Sequence, residues 1–547
     1  MVSGMLSREL RRMKRISAYM AILLILCACT KHQQQASDDK TDVGISFPTD
    51  VPDLDGYTVK GQVYADSRPL AGVVISDGRN VTKTDKNGMY WLPSSCQEGD
   101  RTVWISIPSG YMVNTRNGWE PRFWHALDTE KLKSGTVQRH DFVLKSVNQD
   151  RFRLVAFSDT HIRGLRAAEG ITEMDSVIFR SKFIPKLQAQ SNASPVYAVC
   201  LGDMIQEYAI DVNGTGLPEY KKCLRGVQIP IFHIPGNHDY YGKQTKDYRA
   251  DVEGLEPKEY YRTHLGPTYY SMNIGSNHFL MLDGTIMLGS NGVGGGYNKY
   301  LSRISPRQME WIASDLAAVE DKASTALVIC CHQPFYMYQT GKEQGVGSME
   351  KANRETVMDL LTGFSKITIL SGHQHYTDSY SFTRGGATVT QYVHNAITGP
   401  FYRSKYCVDG SPCGLTDYDF IGTDFRRTML ACYDDCDFQV KFYTEGVTTL
   451  AGGKSCLLMN VPAYAEGWSV HVTEYSVQVK EADRVFRTDP DYTAEHAANN
   501  NFASANTSTV NPVNNSHMFE YVPVNPNARI VMTVTGADGS TYKKQIN

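Results

Sequence analysis

The sequence is short of clustered charge. Beyond its first fifteen residues it holds no block of five or six basic side chains, and 55 Lys and Arg against 58 Asp and Glu leave a formal charge of -3. An extended nucleic-acid surface is thereby excluded, because neutralising a run of phosphates takes a concentrated positive face. Long apolar runs are missing as well, and no stretch reaches the about 20 residues that a membrane-spanning helix needs. Repeats of solenoid length are absent. None of the twelve cysteines stands in a CxxC pair, so a knotted structural zinc site has no ligand pattern to rest on. A hydrophobic fraction of 41%, a charged fraction of 21% and a mean hydropathy of -0.36 exclude both a polytopic membrane protein and a chain without a core. What is left is a folded body. Its 547 residues exceed one ordinary core, so two or three domains are expected.

The first thirty residues read as an address. Arg8, Arg11, Arg12, Lys14 and Arg15 precede an apolar run over 16–28, the order of charge and then grease found in secretory signals. The run closes on Leu26-Cys27-Ala28-Cys29, which resembles a bacterial lipobox. That resemblance implies that Cys29 becomes a lipidated N-terminus after cleavage. The protein would then sit at the bacterial cell envelope, periplasmic or on the cell surface, and meet a membrane only through that anchor. A plain signal peptide with a chance cysteine is the other reading. Residues 30–55 are polar, with Gln33, Gln34, Gln35, Asp38 and Asp39, and are expected to be a tether. An envelope address permits disulfides. Cys407 with Cys413 and Cys432 with Cys436 are near neighbours, but spacing does not give pairing. Cys200, Cys330 and Cys331 lie in apolar runs and are expected to be buried thiols.

Three blocks follow the tether. Residues 56–148 alternate short apolar strands with turn signals such as Asp85-Lys86-Asn87-Gly88, and an antiparallel, immunoglobulin-like β-sandwich is expected. Residues 149–385 carry apolar runs at 153–158, 196–201, 229–235, 326–331 and 367–371 with helical stretches between them. Such runs are strands covered on both faces, in an α/β sheet layered with helices. Ser305-Pro306 opens one of those helices, with Met309, Ile312 and Leu316 at helical spacing. Residues 386–547 read as β-rich again, with apolar runs at 427–430 and 530–534, and the Asn, Ser and Thr of 499–515 are expected to form a surface loop.

The middle block concentrates its polar residues where its strands end. Those ends read Asp159-Thr160-His161, Gly202-Asp203, Gly236-Asn237-His238-Asp239, His332 and Gly372-His373-Gln374-His375. In open α/β sheets the carboxyl ends of strands converge on one crevice, so the five clusters are expected to meet. Carboxylate, amide oxygen and imidazole without thiolate suit Mn, Fe or Zn, and residue type does not choose among them. Glycines before Asp203, Asn237 and His373 let the chain turn sharply there. Taken singly, Asp159 or His332 would be an ordinary cap or surface group.

Together these motifs resemble the calcineurin-like metallophosphoesterase superfamily. Tyr269-Tyr270-Ser271, Leu282-Asp283 and Gln308-x-x-Trp311 extend the likeness between its third and fourth motifs. The resemblance implies a four-layer α/β/β/α sandwich core, here flanked by the N-terminal immunoglobulin-like β-sandwich and a C-terminal β-rich domain. It implies two metal ions, one held by Asp159, His161, Asp203 and His375, the other by Asp203, Asn237, His332 and His373, with Asp203 bridging. It also implies hydrolysis of a phosphomonoester or phosphodiester by a metal-bridging hydroxide, Asp203 and His238 being catalytic and His238 the acid to the leaving oxygen. Many members support that histidine with an acid three residues after the bridging Asp; here the position is Gln206, followed by Glu207. Whether Glu207 or Asp239 takes the task is open at this stage. The expected substrate is a phosphorylated small molecule, glycan or lipid. A nuclease or cyclic-nucleotide diesterase is the enzymatic alternative, and a catalytically inert surface binder of glycan or protein is the other. Of the remaining features, His233 is expected in the core, His394 in the core or at the cleft, 292–297 as a rim loop and 452–455 as a turn. The 32 tyrosines are expected to pack strands.

Overall fold

The computed structural model describes residues 50–95, 101–164, 174–192, 195–241, 255–290, 298–339, 342–344, 349–443, 456–475, 477–498, 510–525 and 527–546. The expected leader with Cys29, almost all of the expected tether, the glycine-rich 292–297, the turn expected at 452–455 and residues 499–509 of the expected surface loop lie outside the described residues. No helix among the described residues is long and apolar enough to cross a membrane.

The apolar runs of the middle block become the strands of two sheets. One sheet runs in the order Ile231–His233, Val196–Cys200, Arg151–Phe157, Gly414–Ile421, Asp424–Ala431. Its first three strands are parallel, with Ala198 opposite both Val155 and Ile231. The other sheet runs Tyr270–Ile274, Asn277–Leu282, Ala326–Cys331, Lys366–Ser371, Ala387–Val393, Asp378–Arg384, and its four inner strands are parallel. Successive side chains of a strand point to opposite faces, which explains how one strand serves two cores. Leu154, Ala156, Tyr197 and Val199 share a core with Phe279, Met281 and Val328 of the second sheet. The alternate residues Val155, Phe157, Ala198 and Cys200 pack instead on the helical Phe179, Phe183, Leu187, Leu217 and Tyr220. On the second sheet the helix Pro306–Ala317 buries Trp311, Ile312 and Leu316, and the Ser305 side chain caps it by accepting from Gln308 N at 3.2 Å. The layering is helix, sheet, sheet, helix. Gln308 then reaches the strand end at Asp283, accepting from its N–H at 3.0 Å and donating to its carbonyl at 2.8 Å.

The boundary expected at 385–386 falls inside a hairpin of this sandwich. Asp378–Arg384 pairs antiparallel with Ala387–Val393, which in turn lies parallel to Lys366–Ser371. The run at 427–430 belongs to Asp424–Ala431, the edge strand of the first sheet, not to a separate C-terminal body. Strand alternation says which face a residue takes but not which sheet the strand joins.

Among the described residues the N-terminal block forms a sheet around Val59–Ala65, a sheet ordered Trp124–Ala126, Thr102–Ser106, Val74–Ser76, Val81–Lys83, and a two-stranded ribbon of Thr115–Arg116 with Glu120–Pro121. Its pairing is not all antiparallel: Val59–Ala65 lies parallel to Gln138–Arg139 and Phe142–Ser146. The short helix Thr129–Ser134 precedes those strands and lets the chain cross over and return in the same direction, which a tight hairpin cannot do. The module abuts the strand that leads to Asn237, since Ile231 N donates to Trp119 O at 2.7 Å and the Trp119 and His233 rings are 5.8 Å apart. The last block carries two four-stranded sheets around Met459, Val470, Val472, Phe519, Ile530, Met532 and Val534. The nine described cysteines are buried, and no disulfide joins two of them to each other, the Cys407 and Cys413 sulfurs being 4.0 Å apart.

Candidate metal centre

Each motif sits where a central strand ends, and the strand ends converge. Asp159 and His161 follow Arg151–Phe157, Asp203 follows Val196–Cys200, Asn237 and His238 follow Ile231–His233, His332 follows Ala326–Cys331, and His373 and His375 follow Lys366–Ser371. Asp159, His161 and His375 form one group of ligand atoms, and Asp203, His332 and His373 form a second. In the first, His161 Nε2 and His375 Nε2 are 3.0 Å apart, and Asp159 Oδ1 is 3.4 Å from His375 Nε2 and 3.7 Å from His161 Nε2. In the second, His332 Nε2 is 3.1 Å from Asp203 Oδ2 and 3.2 Å from His373 Nδ1. The groups meet at one atom: Asp203 Oδ2 is also 3.6 Å from His161 Nε2. The other Asp203 oxygen accepts the His238 N–H at 2.9 Å. Asn237 is buried between Gly236 and His238 on the same turn.

The donor set fits a pair of cations. Two ligand atoms each about 2.1 Å from one ion, at roughly 90–110° to one another, lie about 3.0–3.4 Å apart, close to the spacings just given. Asp159 Oδ1, which faces both imidazoles, is buried without a hydrogen-bond partner, a costly state for a polar atom unless something else satisfies it. Backbone carbonyls fix two of the imidazoles. His375 Nδ1 faces Gly399 O at 3.0 Å and His332 Nδ1 faces Leu201 O at 2.7 Å; each must donate, which turns Nε2 inward. Burial lowers His161 to about 4, and burial with the neighbouring His332 lowers His373 to about 3, whereas at His332 the Asp203 carboxylate outweighs burial and raises the imidazole to about 9. Burial also disfavours charge on Asp203, but His332 and His238 hold it well below the usual carboxylate range.

The backbone is strained at the same residues. Asp159, His161, Asp203, His373 and His375 all have positive φ, between 41° and 74°, a region L-residues avoid and that clusters at functional sites. Of the three glycines expected to make the sharp turns, Gly202 has positive φ, at 96°. Gly372 is needed for closeness, since a Cβ there would lie 1.8 Å from Ser158 Oγ. The turning is done largely by the ligand-type residues themselves.

His238 stands beside the groups, its ring 5.3 Å from that of His161. Glu207 takes the supporting contact, with Oε2 2.5 Å from His238 Nδ1, and Gln206 Nε2 lies 3.1 Å from the same nitrogen. Burial alone would lower the imidazole, but the Glu207 and Asp203 carboxylates outweigh it and lift His238 to about 9. Asp239 does other work: its carboxylate accepts the N–H groups of Asp203, Met204 and Gly236, each at 2.8 Å, and ties two strand-end turns together. His233 is a core residue, bonded to Tyr220 OH at 3.1 Å. His394 is one too, held between Ser371 O and Tyr418 OH at 2.9 Å each. Two aromatic residues outside the sequence motifs also stand at the groups. Tyr300 OH is 3.5 Å from His373 Nε2, and Phe401 sets its ring edge-on to His161 and His375, 5.4 Å from each. No spacing singles them out among the tyrosines and phenylalanines that pack strands.

A model described as the N terminal of calcineurin-like phosphoesterase matches residues 57–147, one described as calcineurin-like phosphoesterase matches 152–377, and one described as its C terminal matches 391–542. No curated protein matches the sequence significantly. Among solved structures the chain is similar to a 5'-nucleotidase from Candida albicans, with 13% identity, a TM-score of 0.30 and 52% of each chain covered. It is similar to the NAD nucleotidase of Haemophilus influenzae, with 9% identity and a TM-score of 0.27, covering 51% of this chain and 55% of that one. A 5'-nucleotidase precursor from Thermus thermophilus has 12% identity and a TM-score of 0.25, with 51% of this chain and 54% of that one covered. The chain thus spans about half the length of these solved structures.

Proposed function

With three models of one family matched in order along it, the chain belongs to the calcineurin-like phosphoesterases, and on that premise we propose that it is a two-metal hydrolase of a phosphomonoester or phosphodiester, anchored by lipid in the bacterial envelope. The observation that carries the reading is the convergence of six carboxylate and imidazole ligands in two groups that share the reach of Asp203. Asp159, His161 and His375 would hold one ion, and His332, His373 and Asn237 the other, with Asp203 between them. Mn, Fe or Zn bound there would supply Lewis acidity, lowering the pKa of water and offsetting negative charge on phosphate oxygens. The chain's own residues do the rest. Gly399 O and Leu201 O hold two imidazoles in the ligating tautomer. Asp239 fixes the turns that carry Asp203 and Asn237. His238, kept protonated by Glu207, gives its proton to the leaving oxygen.

The test is turnover by the full chain of p-nitrophenyl phosphate, bis-p-nitrophenyl phosphate and a nucleoside 5'-monophosphate, with and without chelator. Metal-dependent hydrolysis of at least one is expected, and the monoester-to-diester ratio assigns the substrate class. Two bound ions with no turnover of any ester would reject the enzyme. The anchor rests on the order of basic, apolar and Leu26-Cys27-Ala28-Cys29 segments. Fatty-acid label is expected in the full chain and not in Cys29→Ala; an unlabelled parent would leave only a plain signal.

A further inference from the structure

The turn that carries His373 and His375 has two residues in the left-handed region, at φ 74° and 59°. Such a turn is not a low-energy conformation of the free chain and persists only where its surroundings hold it. At its start His373 N donates to Asp159 Oδ2 at 3.0 Å. At its end the grip comes from outside the two central sheets. Thr377 N and Thr377 Oγ1 both donate to Asp409 Oδ2, at 2.8 and 2.9 Å. Asp409 lies in the segment between Ala387–Val393 and Gly414–Ile421, and it is held by His517 of the strand Asn515–Tyr521, whose Nε2 is 3.0 Å from the same oxygen. The next residue, Asp378, accepts from Ser516 Oγ at 2.7 Å. Neighbours on one strand of the C-terminal sheet therefore hold neighbours on the turn.

The hydrogen-bond roles in this contact follow from its partners. Asn460 Nδ2 donates to Asp409 O at 3.0 Å and to Asp489 Oδ2 at 2.7 Å, so Asn460 Oδ1 is the acceptor that faces His517 Nδ1 at 2.7 Å. Asp409 meanwhile receives Thr377 at one oxygen and Ser411 N and Oγ at the other, at 3.0 and 2.6 Å, as an ionised carboxylate does. Both ring nitrogens of His517 then face oxygen partners, Asn460 Oδ1 and Asp409 Oδ2. Asp409, His517 and Asn460 are all buried. A buried network whose polar atoms are paired with one another is a rigid fixture, because shifting either partner leaves a polar atom buried and unpaired.

We propose that the buried Asp409–His517 pair is a positioning element for the metal centre, through which the C-terminal sheet holds the His373–His375 turn in its ligating shape. The inference rests on the two-metal reading above. Outer partners of metal ligands set ligand orientation, and their loss typically costs about 10–100-fold in affinity. The pair reaches His375 through the two peptide units between it and Thr377, so the loss falls on the ion that His375 holds.

The experiment is calorimetric titration of the full chain with Mn²⁺ alone, beside His517→Gln and Val534→Ala. Val534 lies in the C-terminal core, buried and without a part in the clamp, so its truncation loosens the same domain elsewhere. His517→Gln is expected to weaken one of two Mn²⁺ sites by about 10–100-fold, and Val534→Ala to lower the melting temperature while both sites keep the parent affinity. Thr377→Val, which removes one hydroxyl donor and keeps the shape, is expected to move the same site in the same direction by less, and decides the matter where His517→Gln does not fold. Parent-like Mn²⁺ affinity in His517→Gln and Thr377→Val, or an equal loss in Val534→Ala, overturns the positioning role and leaves the two-metal reading standing. A parent chain that takes up no Mn²⁺ overturns both.

Discussion

Asp203→Asn is expected to abolish phosphoester hydrolysis together with occupancy of both ions. The substitution is chosen for what it preserves. Asp203 sits at φ 53°, where asparagine is as much at ease as aspartate and alanine would add strain of about 1–2 kcal/mol. Its Oδ1 accepts the His238 N–H, which an amide oxygen can still do. What is lost is the charge on Oδ2, the atom within 3.1 Å of His332 Nε2 and 3.6 Å of His161 Nε2. Outer partners of ligands cost about 10–100-fold in affinity, and an anionic ligand facing both groups is worth more than that at each. Metal analysis of the variant, with circular dichroism to establish the fold, is the check. An Asp203→Asn chain that keeps two ions would remove Asp203 from the bridging role.

His238→Ala is expected to separate metal binding from turnover. The ring is no member of either ligand group, so the ions stay, while kcat falls by about 10²–10⁴, the usual worth of a general acid, or roughly 3–5 kcal/mol of barrier. The loss should be smaller for p-nitrophenyl esters, whose leaving oxygen needs little protonation, than for an alkyl phosphate. Glu207→Gln should move kcat in the same direction by a smaller factor, because the neutral amide no longer favours the imidazolium that the Glu207 carboxylate holds at 2.5 Å. Equal losses for both leaving groups would assign His238 to phosphate binding instead. Loss of metal in His238→Ala would make it a ligand.

How far the sequence could be read depends on which interactions leave a local trace. A buried parallel strand is an apolar run with its ligand at the end, so the strands leading to Asp159, Asp203, Asn237, His332 and His373 were legible from composition alone, to within a residue or two. Convergence followed from the rule for strand ends. Sheet membership did not. Gly414–Ile421 and Asp424–Ala431 alternate like any antiparallel hairpin, and their place beside Arg151–Phe157 depends on a partner more than 250 residues away in sequence. The parallel return of Phe142–Ser146 beside Val59–Ala65 was hidden for the same reason. Within the site, the choice between Glu207 and Asp239 turned on which carboxylate the folded turns aim at His238, which spacing does not settle. The Asp409–His517 contact joins residues 108 apart with no motif at either end; buried polar contacts carry no periodicity and emerge only when the chain is folded.

The central claim is a pair of ions held by side chains from five strand ends, and elemental analysis of the purified full chain tests it most directly. The account predicts about two Mn, Fe or Zn ions per chain at saturation, hydrolysis that disappears when they are chelated, and recovery of both on adding metal back. A chain that binds fewer than one ion at saturation, or that hydrolyses phosphoesters undiminished after verified removal of metal, contradicts it.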